Sequence, residues 1–257
     1  MILEYKGINI FYTDQGKGTA IVLLHGFLEN SSMWHPFIPN LTQKNRVVCI
    51  DLLGHGKTNC LGYIHPMELM AEAVEAILRH LRLRKYFMIG HSMGGYVALS
   101  FAEKNPNTLK GLCLMNSTYE ADDDARKALR KRANKMVKTN FENMVRMSFT
   151  NLFSETSQIL HKTKLKAALS EALKTPIQGY IAGQEGMLLR SDKFKMFLSL
   201  GCKKLIILGE KDPIIDVKKL LNETKNTTIE TVIFSEGHMS HFENEKEFLQ
   251  KIVYFIE

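Results

Sequence analysis

Six short stretches of this chain are continuously apolar, and that pattern narrows the possible folds more than any other feature. They are Ala20-Ile21-Val22-Leu23-Leu24, Val47-Val48-Cys49-Ile50, Phe87-Met88-Ile89, Leu112-Cys113-Leu114-Met115, Leu205-Ile206-Ile207-Leu208 and Val232-Ile233-Phe234. A strand with one wet face alternates polar and apolar residues, whereas a strand covered on both faces is apolar throughout. A mostly parallel sheet clothed by helices follows, and the intervening segments have helical spacing. Met67, Leu69, Met70, Ala73, Val74, Ile77, Leu78 and Leu81 repeat at i, i+3, i+4 and i+7, as do Phe248, Ile252, Val253 and Ile256 near the C-terminus. Leu3 to Lys6 and Ile8 to Tyr12 flank Gly7 as an antiparallel hairpin would.

The alternation breaks once. Residues 117–200 hold helix-like stretches but no buried-strand run, so they read as a helical lid inserted into a core made of 1–116 and 201–257. At roughly 150 residues per domain, 257 residues suit one α/β domain with such an insertion. The net charge of +7 is concentrated in the insertion, which carries 15 Lys and Arg against 9 Asp and Glu and leaves only +1 elsewhere. Without aromatic interleaving or a recognised motif, that excess does not point to nucleic acid. No apolar run approaches the ~20 residues of a membrane span, and Met1 to Lys6 lacks the order of a signal peptide, so no membrane association is expected and the chain is expected in the cytoplasm. Cys49, Cys60, Cys113 and Cys202 form no C-x-x-C pair, which removes zinc-knuckle and dithiol readings.

The chemistry is announced by Gly90-His91-Ser92-Met93-Gly94-Gly95, lying between an apolar strand and the helical run Tyr96-Val97-Ala98-Leu99. G-x-S-x-G at a strand-to-helix turn places a serine hydroxyl on a strained elbow above the sheet. A serine needs a base to take its proton and a carboxylate to orient that base. His238, just after the last apolar run and Gly237, is the expected base, with His241 as the rival. Asp212, in Gly209-Glu210-Lys211-Asp212-Pro213, is the expected acid; Glu210, Asp216, Glu120 and Asp122 are rivals. Backbone N–H groups of Met93 and Phe27 would stabilise the oxyanion. His25 and the Asp51-Leu52-Leu53-Gly54-His55-Gly56 loop read as structural braces. This chemistry calls for neither a metal nor a cofactor.

His25-Gly26-Phe27, the glycine loop at 51–56, the elbow at 90–95, Gly209 to Pro213 and Gly237-His238 occur in an order that resembles the α/β-hydrolase superfamily. The resemblance spans nearly the whole chain apart from the lid. It implies an eight-stranded, mostly parallel sheet flanked by helices, a helical cap after the sixth strand, and a triad of Ser92, Asp212 and His238. Within the superfamily the chain is similar to small cap-bearing carboxylesterases and enol-lactone hydrolases. Gly186 to Asp192 is similar to a cap-exit segment, with Ser191 where Pro is usual; Leu53 and Thr58 replace the usual Pro and Ser of the glycine loop.

The expected activity is hydrolysis of a carboxylic ester, lactone or thioester through an acyl-serine. Carbon–carbon bond hydrolysis on the same triad and a non-catalytic receptor of the same fold are the alternatives. Arg190 is expected either to pair with Asp192 or to bind a substrate carboxylate. Lys127, Lys131, Lys135 and Lys138 share one face of a helix beginning near Asp122; that face is either a solvated surface or a dock for an acidic partner or anionic substrate.

Overall fold

The computed structural model describes residues 1–257. Eight strands form one sheet: β1 (Ile2–Tyr5), β2 (Ile8–Gly16), β3 (Thr19–Leu24), β4 (Asn45–Ile50), β5 (Tyr86–His91), β6 (Leu109–Met115), β7 (Lys203–Gly209) and β8 (Glu230–Phe234). Their spatial order is β1-β2-β4-β3-β5-β6-β7-β8. The β1–β2 and β2–β4 pairs are antiparallel and all others parallel. The hairpin turns at Lys6 and Gly7, both at positive φ (49° and 79°), the two-residue turn whose twist matches its strands.

The helices are α1 (Ile38–Leu41), α2 (Met67–His80), α3 (Met93–Lys104), α4 (Asp124–Met136), α5 (Phe141–Thr150), α6 (Glu155–Leu160), α7 (Lys162–Ala172), α8 (Ile177–Leu188), α9 (Phe194–Ser199), α10 (Val217–Thr224), α11 (Ser240–Glu243) and α12 (Glu245–Ile256). None is long and apolar enough to cross a membrane. Alternate strand residues feed two apolar layers. On β3, Val22 and Leu24 join Val74, Ile77, Val97 and Phe101 of α2 and α3. Ile21 and Leu23 join Trp34, Phe37 and the Phe248, Ile252 and Phe255 stripe of α12 on the opposite face. Covering both faces is why these strands are apolar without alternation.

The run Val232–Phe234 departs from that expectation. β8 pairs only with β7, at the sheet edge, and Ile233 is 43% exposed while Phe234 is buried. An edge strand has one neighbour and loses cover on its outer side, so apolarity there does not mean burial.

Parallel pairing aligns the strand ends that matter for chemistry. Leu24 lies opposite Gly90, Gly90 opposite Leu114, Met115 opposite Ile207, and Gly209 opposite Phe234. The loops after β3, β5, β6, β7 and β8 therefore open along one edge, the carboxyl edge where open α/β sheets bind ligands. Over that edge lie α4 to α9, the whole of the chain's helix content between β6 and β7, with no strand among them. They have an apolar cluster of their own, including Val145, Phe149, Leu169 and Tyr180, to which the core loops contribute Leu28 and Met239. Contact with the core is close: a Cβ on Gly179 of α8 would lie 2.0 Å from the Gly54 carbonyl oxygen. Met187, Phe197 and Leu200 pack in the main core, so the helical segment rejoins the sheet before β7 begins.

Candidate active site

Ser92 is the single residue between β5 and α3, at φ 46° and ψ −114°. Such a backbone costs on the order of 1–3 kcal/mol for a residue with a side chain and persists only where its surroundings fix it. Here its N–H donates to the Met115 carbonyl (2.9 Å), and its own carbonyl accepts from the Ser117 hydroxyl (2.7 Å) and the Gly95 N–H (2.9 Å). The first turn of α3 also presses against the end of β3. A Cβ on Gly94 would sit 2.5 Å from the Leu24 carbonyl oxygen, which is why glycine follows the elbow.

The strain delivers the hydroxyl to a histidine. His238 Nε2 lies 2.9 Å from Ser92 Oγ, and His238 Nδ1 lies 2.7 Å from Asp212 Oδ2. With Nδ1–H donating to the carboxylate, Nε2 is left to accept the serine proton. Asp212 is fixed in turn: Oδ1 accepts from the N–H groups of Ile214 (2.8 Å) and Ile215 (3.2 Å), and Oδ2 from Asn116 Nδ2 (3.1 Å). Burial pushes the Asp212 carboxyl up, but His238 and these donors outweigh burial and hold it below the usual carboxylate range. The His238 backbone N–H donates to the Leu152 carbonyl between α5 and α6, so the covering helices help place the His238 ring.

The rival acids have other occupations. Asp216 caps α10 by accepting from the Lys219 N–H (3.0 Å), Glu120 pairs with Lys219, Glu210 is exposed, and Asp122 is buried between Arg130 (2.6 Å) and Arg190 (2.7 Å). His241, the rival base, does not approach Ser92. It is buried with Nε2 3.2 Å from Glu29 Oε1. The other Glu29 oxygen lies 2.5 Å from His91 Nδ1 and accepts from the Gly26 N–H at 2.7 Å. His91 Nε2 donates to the His238 carbonyl (3.0 Å). Burial alone would lift Glu29, yet the two imidazoles hold its carboxyl well below the usual range; burial would lower His91, yet Glu29 raises it. A carbonyl can only accept, so His91 must carry a proton on Nε2. The 2.5 Å contact then requires a second proton between Nδ1 and Glu29, which makes this a buried imidazolium–carboxylate pair. Glu29, His91 and His241 are also the one group of three or more His, Cys, Asp or Glu residues whose ligand atoms lie within 4.8 Å of one another.

The braces behave as structural parts. His25 Nε2 accepts from the Leu52 N–H (2.9 Å) and Nδ1 donates to the Gly26 carbonyl (2.7 Å), while burial lowers its pKa and keeps the ring neutral. The Asp51 carboxylate accepts from the N–H groups of Ser31 (2.7 Å) and Lys57 (2.8 Å). These bonds fix the β3 loop that carries Phe27. The Phe27 ring packs edge-on to Tyr180 at 4.9 Å, and its N–H makes none of the loop hydrogen bonds. The N–H of Met93, first in α3, has no intrahelical acceptor.

A cavity of about 170 Å³ opens on Ser92 and His238. Phe27, Phe149, Leu152, Tyr180, Met187 and Ile214 supply apolar walls, and Arg126, Arg130 and Gln184 supply polar ones. Arg190 is not among them. Its Nε donates to the Glu120 carbonyl (2.9 Å), Nη1 to the Met187 carbonyl (3.0 Å), and Nη2 pairs with Asp122 (2.7 Å), while the guanidinium lies 4.1 Å above the Tyr96 ring. Asp192 instead accepts from the Phe194 N–H (3.0 Å), so the expected Arg190–Asp192 pair is replaced by Arg190–Asp122. On α4, capped by Asp123, Lys131 and Lys135 are exposed and Lys127 half-buried, whereas Arg126 and Arg130 turn inward; Lys138 lies beyond the helix end.

Sequence reasoning missed Asn116, the inward arginines and the Glu29 assembly. Asn116 had a usable signal, since it ends the apolar run before the insertion at the carboxyl edge. Glu29, His91 and His241 are 62 and 150 residues apart in pairs and have no shared spacing to betray them.

A family model described as the alpha/beta hydrolase fold matches residues 19–245. Among curated proteins, (E)-2-((N-methylformamido)methylene)succinate hydrolase of Acinetobacter baylyi is 22% identical over 240 residues, 89% of this chain and 86% of that protein. The 3-oxoadipate enol-lactonase 1 of the same species is 26% identical over 256 residues, 98% of this chain and 94% of that one. The matched region covers 64% of one further curated relative and 30% of three others. Among solved structures, a thermophilic esterase from Thermogutta terrifontis superposes with a TM-score of 0.91 at 27% identity, covering 99% of this chain and 95% of that one.

Proposed function

The chain belongs to the alpha/beta hydrolase family, and from that premise we propose that it is a serine hydrolase that cleaves a carboxylic ester or lactone through an acyl-Ser92 intermediate. The observation that carries this reading is the unbroken proton path Ser92 Oγ, His238 Nε2, His238 Nδ1, Asp212 Oδ2, with contacts of 2.9 and 2.7 Å. Names of relatives are consistent with it: an enol-lactonase and an esterase both share this fold over nearly their full length.

In the proposed cycle, Ser92 Oγ attacks the substrate carbonyl carbon as its proton passes to His238 Nε2. The carbonyl oxygen becomes an oxyanion held by the Phe27 and Met93 N–H groups. Asp212 stays ionised and offsets the imidazolium charge. Collapse breaks the bond to the leaving oxygen, which takes the proton from His238 and departs as the alcohol, or stays attached when the substrate is a lactone. Water then attacks the acyl-serine, gives a proton to His238, and the second collapse returns that proton to Ser92 Oγ and releases the acid. No step needs a metal or a cofactor. None of the four cysteines lines the Ser92 cavity, and burial pushes the Cys49 thiol up to about 12.

Stopped-flow hydrolysis of p-nitrophenyl acetate tests the reading. The expected result is a burst of p-nitrophenol stoichiometric with enzyme, absent from Ser92→Ala, with steady-state turnover of that variant reduced by at least ~10³-fold. A Ser92→Ala protein that keeps half the wild-type rate would contradict it.

A further inference from the structure

The cavity above Ser92 is not electrically neutral in its fittings. Two guanidinium groups, Arg126 and Arg130, reach it from the inner face of α4. Arg130 has protein partners: Nε binds Asp122, a carboxylate it shares with Arg190, at 2.6 Å, and Nη1 binds Gln184 Oε1 at 2.7 Å. Arg126 is different. Its Nη2 donates to a neutral acceptor, the Ile214 carbonyl, at 2.6 Å, and it has no carboxylate within ion-pair distance.

The acids nearby are already engaged. Arg126 and Arg130 also wall a second, polar cavity of about 240 Å³ that contains Asp122, Asp123, Glu120, Asp216, Arg190 and Lys219. There Asp122 is shared by Arg130 and Arg190, Glu120 pairs with Lys219, and Asp123 and Asp216 accept from the backbone N–H groups that begin α4 and α10. A half-buried guanidinium with spare donors and no counter-ion, standing in an otherwise mainly apolar cavity beside a nucleophile, is arranged for an anion brought by the ligand. Removing a cation from water without a partner is unfavourable, and a carboxylate that supplies charge-assisted hydrogen bonds repays it.

We propose that Arg126 is the anchor for a carboxylate carried by the substrate, so that the preferred substrate is a small ester or lactone bearing a free carboxylate on the portion that enters the Ser92 cavity. The proposal rests on the serine-hydrolase reading for the reaction but not for the binding. The Ile214 carbonyl holds one edge of the guanidinium and aims the remaining donors. Ile214 is two residues from Asp212, so the anchor and the triad acid are set by one short loop. The cavity's modest size, about 170 Å³, against the ~300–1,000 Å³ usual for drug-sized ligands, suits a short chain between the reacting carbonyl and the anion.

The experiment compares mono-p-nitrophenyl glutarate with p-nitrophenyl valerate, which share the leaving group and the five-carbon acyl chain and differ only in the distal carboxylate. Wild type should favour the anionic ester, and Arg126→Gln should reduce the anionic-to-neutral ratio of kcat/KM by ~10- to 100-fold, with the loss in KM and partial recovery in Arg126→Lys. An equal fall for both esters would show that Arg126 merely ties α4 to the Ile214 loop, and an unchanged ratio would show no anchoring; either overturns the proposal. Calorimetric titration of glutarate into Ser92→Ala reads the subsite without turnover. Binding that disappears in Ser92→Ala/Arg126→Gln supports it, and no binding to Ser92→Ala overturns it. Glutarate binding by a protein that hydrolyses neither ester would sink the reaction assignment and leave the subsite standing.

Discussion

Two carboxylate–imidazole assemblies stand back to back beneath the loop after β8. Asp212 holds His238, and Glu29 holds His91 and His241; the His91 and His238 rings are 5.2 Å apart. Both carboxylates are buried, and both are held below their ordinary range by the histidines they face, against the opposing pull of burial. By chemistry alone either could orient a general base. They differ in where the second nitrogen points. His238 Nε2 meets the Ser92 hydroxyl at the floor of a cavity, whereas His91 Nε2 is capped by the His238 carbonyl and the His241 ring packs 4.4 Å from Phe242. A histidine–carboxylate pair becomes a base only where it leaves one nitrogen facing a nucleophile. Elsewhere the same pair is a rivet, here holding the β3 loop, the elbow and the His238 loop together.

The largest effect that could break this comparison is on turnover. His238→Ala should lower kcat/KM for p-nitrophenyl acetate by at least ~10³-fold, whereas His241→Ala should stay within ~10-fold of wild type, because it touches neither Ser92 nor Asp212. If the two substitutions exchange ranks, the wrong assembly has been assigned to the serine.

Stability should show the reverse order. Glu29→Gln leaves the buried His91 imidazolium without its counter-charge and should cost ~3 kcal/mol in urea unfolding. The pH dependence has a definite sign. Glu29 is depressed, so its contribution is present above the unfolded carboxylate value of about 4.3 and fades as pH falls through its folded value. His91 is raised, so its contribution is complete below about 6.5 and fades as pH rises through its folded value. The stability gap between wild type and Glu29→Gln should therefore be widest near pH 5 to 6.5 and shrink on either side. A gap that grows steadily from pH 5 down to pH 3 would contradict the ion pair.

The smallest effect concerns the outward face of α4. Changing Lys127, Lys131 and Lys135 to Glu should leave turnover of a neutral ester within ~2-fold, since none of the three lines the Ser92 cavity. If this face steers anions to the cavity, kcat/KM for mono-p-nitrophenyl glutarate should drop a few-fold at low salt and recover at high salt. A loss of the same size at all salt concentrations would assign the lysines to the cavity itself.

Much of the site was readable because each principal residue sits at the end of an apolar run. Ser92 follows β5, Asp212 follows β7 and His238 follows β8, and parallel pairing brings those ends together without further information. What was not readable depends on contacts through space. Arg126 and Arg130 look like members of a basic surface helix until α4 is laid over the core, when two of its cations turn inward and the lysines remain outside. Arg190 is two residues from Asp192 in sequence, yet its partner is Asp122, which lies 68 positions away. His241 differs from His238 by one helical turn, and nothing in Gly237-His238-Met239-Ser240-His241 says that the second ring faces Glu29. Ile233 is apolar like the central strands but lies on the sheet edge, a fact set by strand order rather than by composition.

A nucleophilic Ser92 activated by His238 is tested most directly by intact-protein mass spectrometry after treatment with an alkyl fluorophosphonate. One phosphonyl group should add per chain, mapped by peptide sequencing to Ser92, with no addition to Ser92→Ala and addition slowed by at least ~10²-fold in His238→Ala. Labelling of Ser92→Ala at the wild-type rate, or a wild-type protein that takes up no label, would contradict the account.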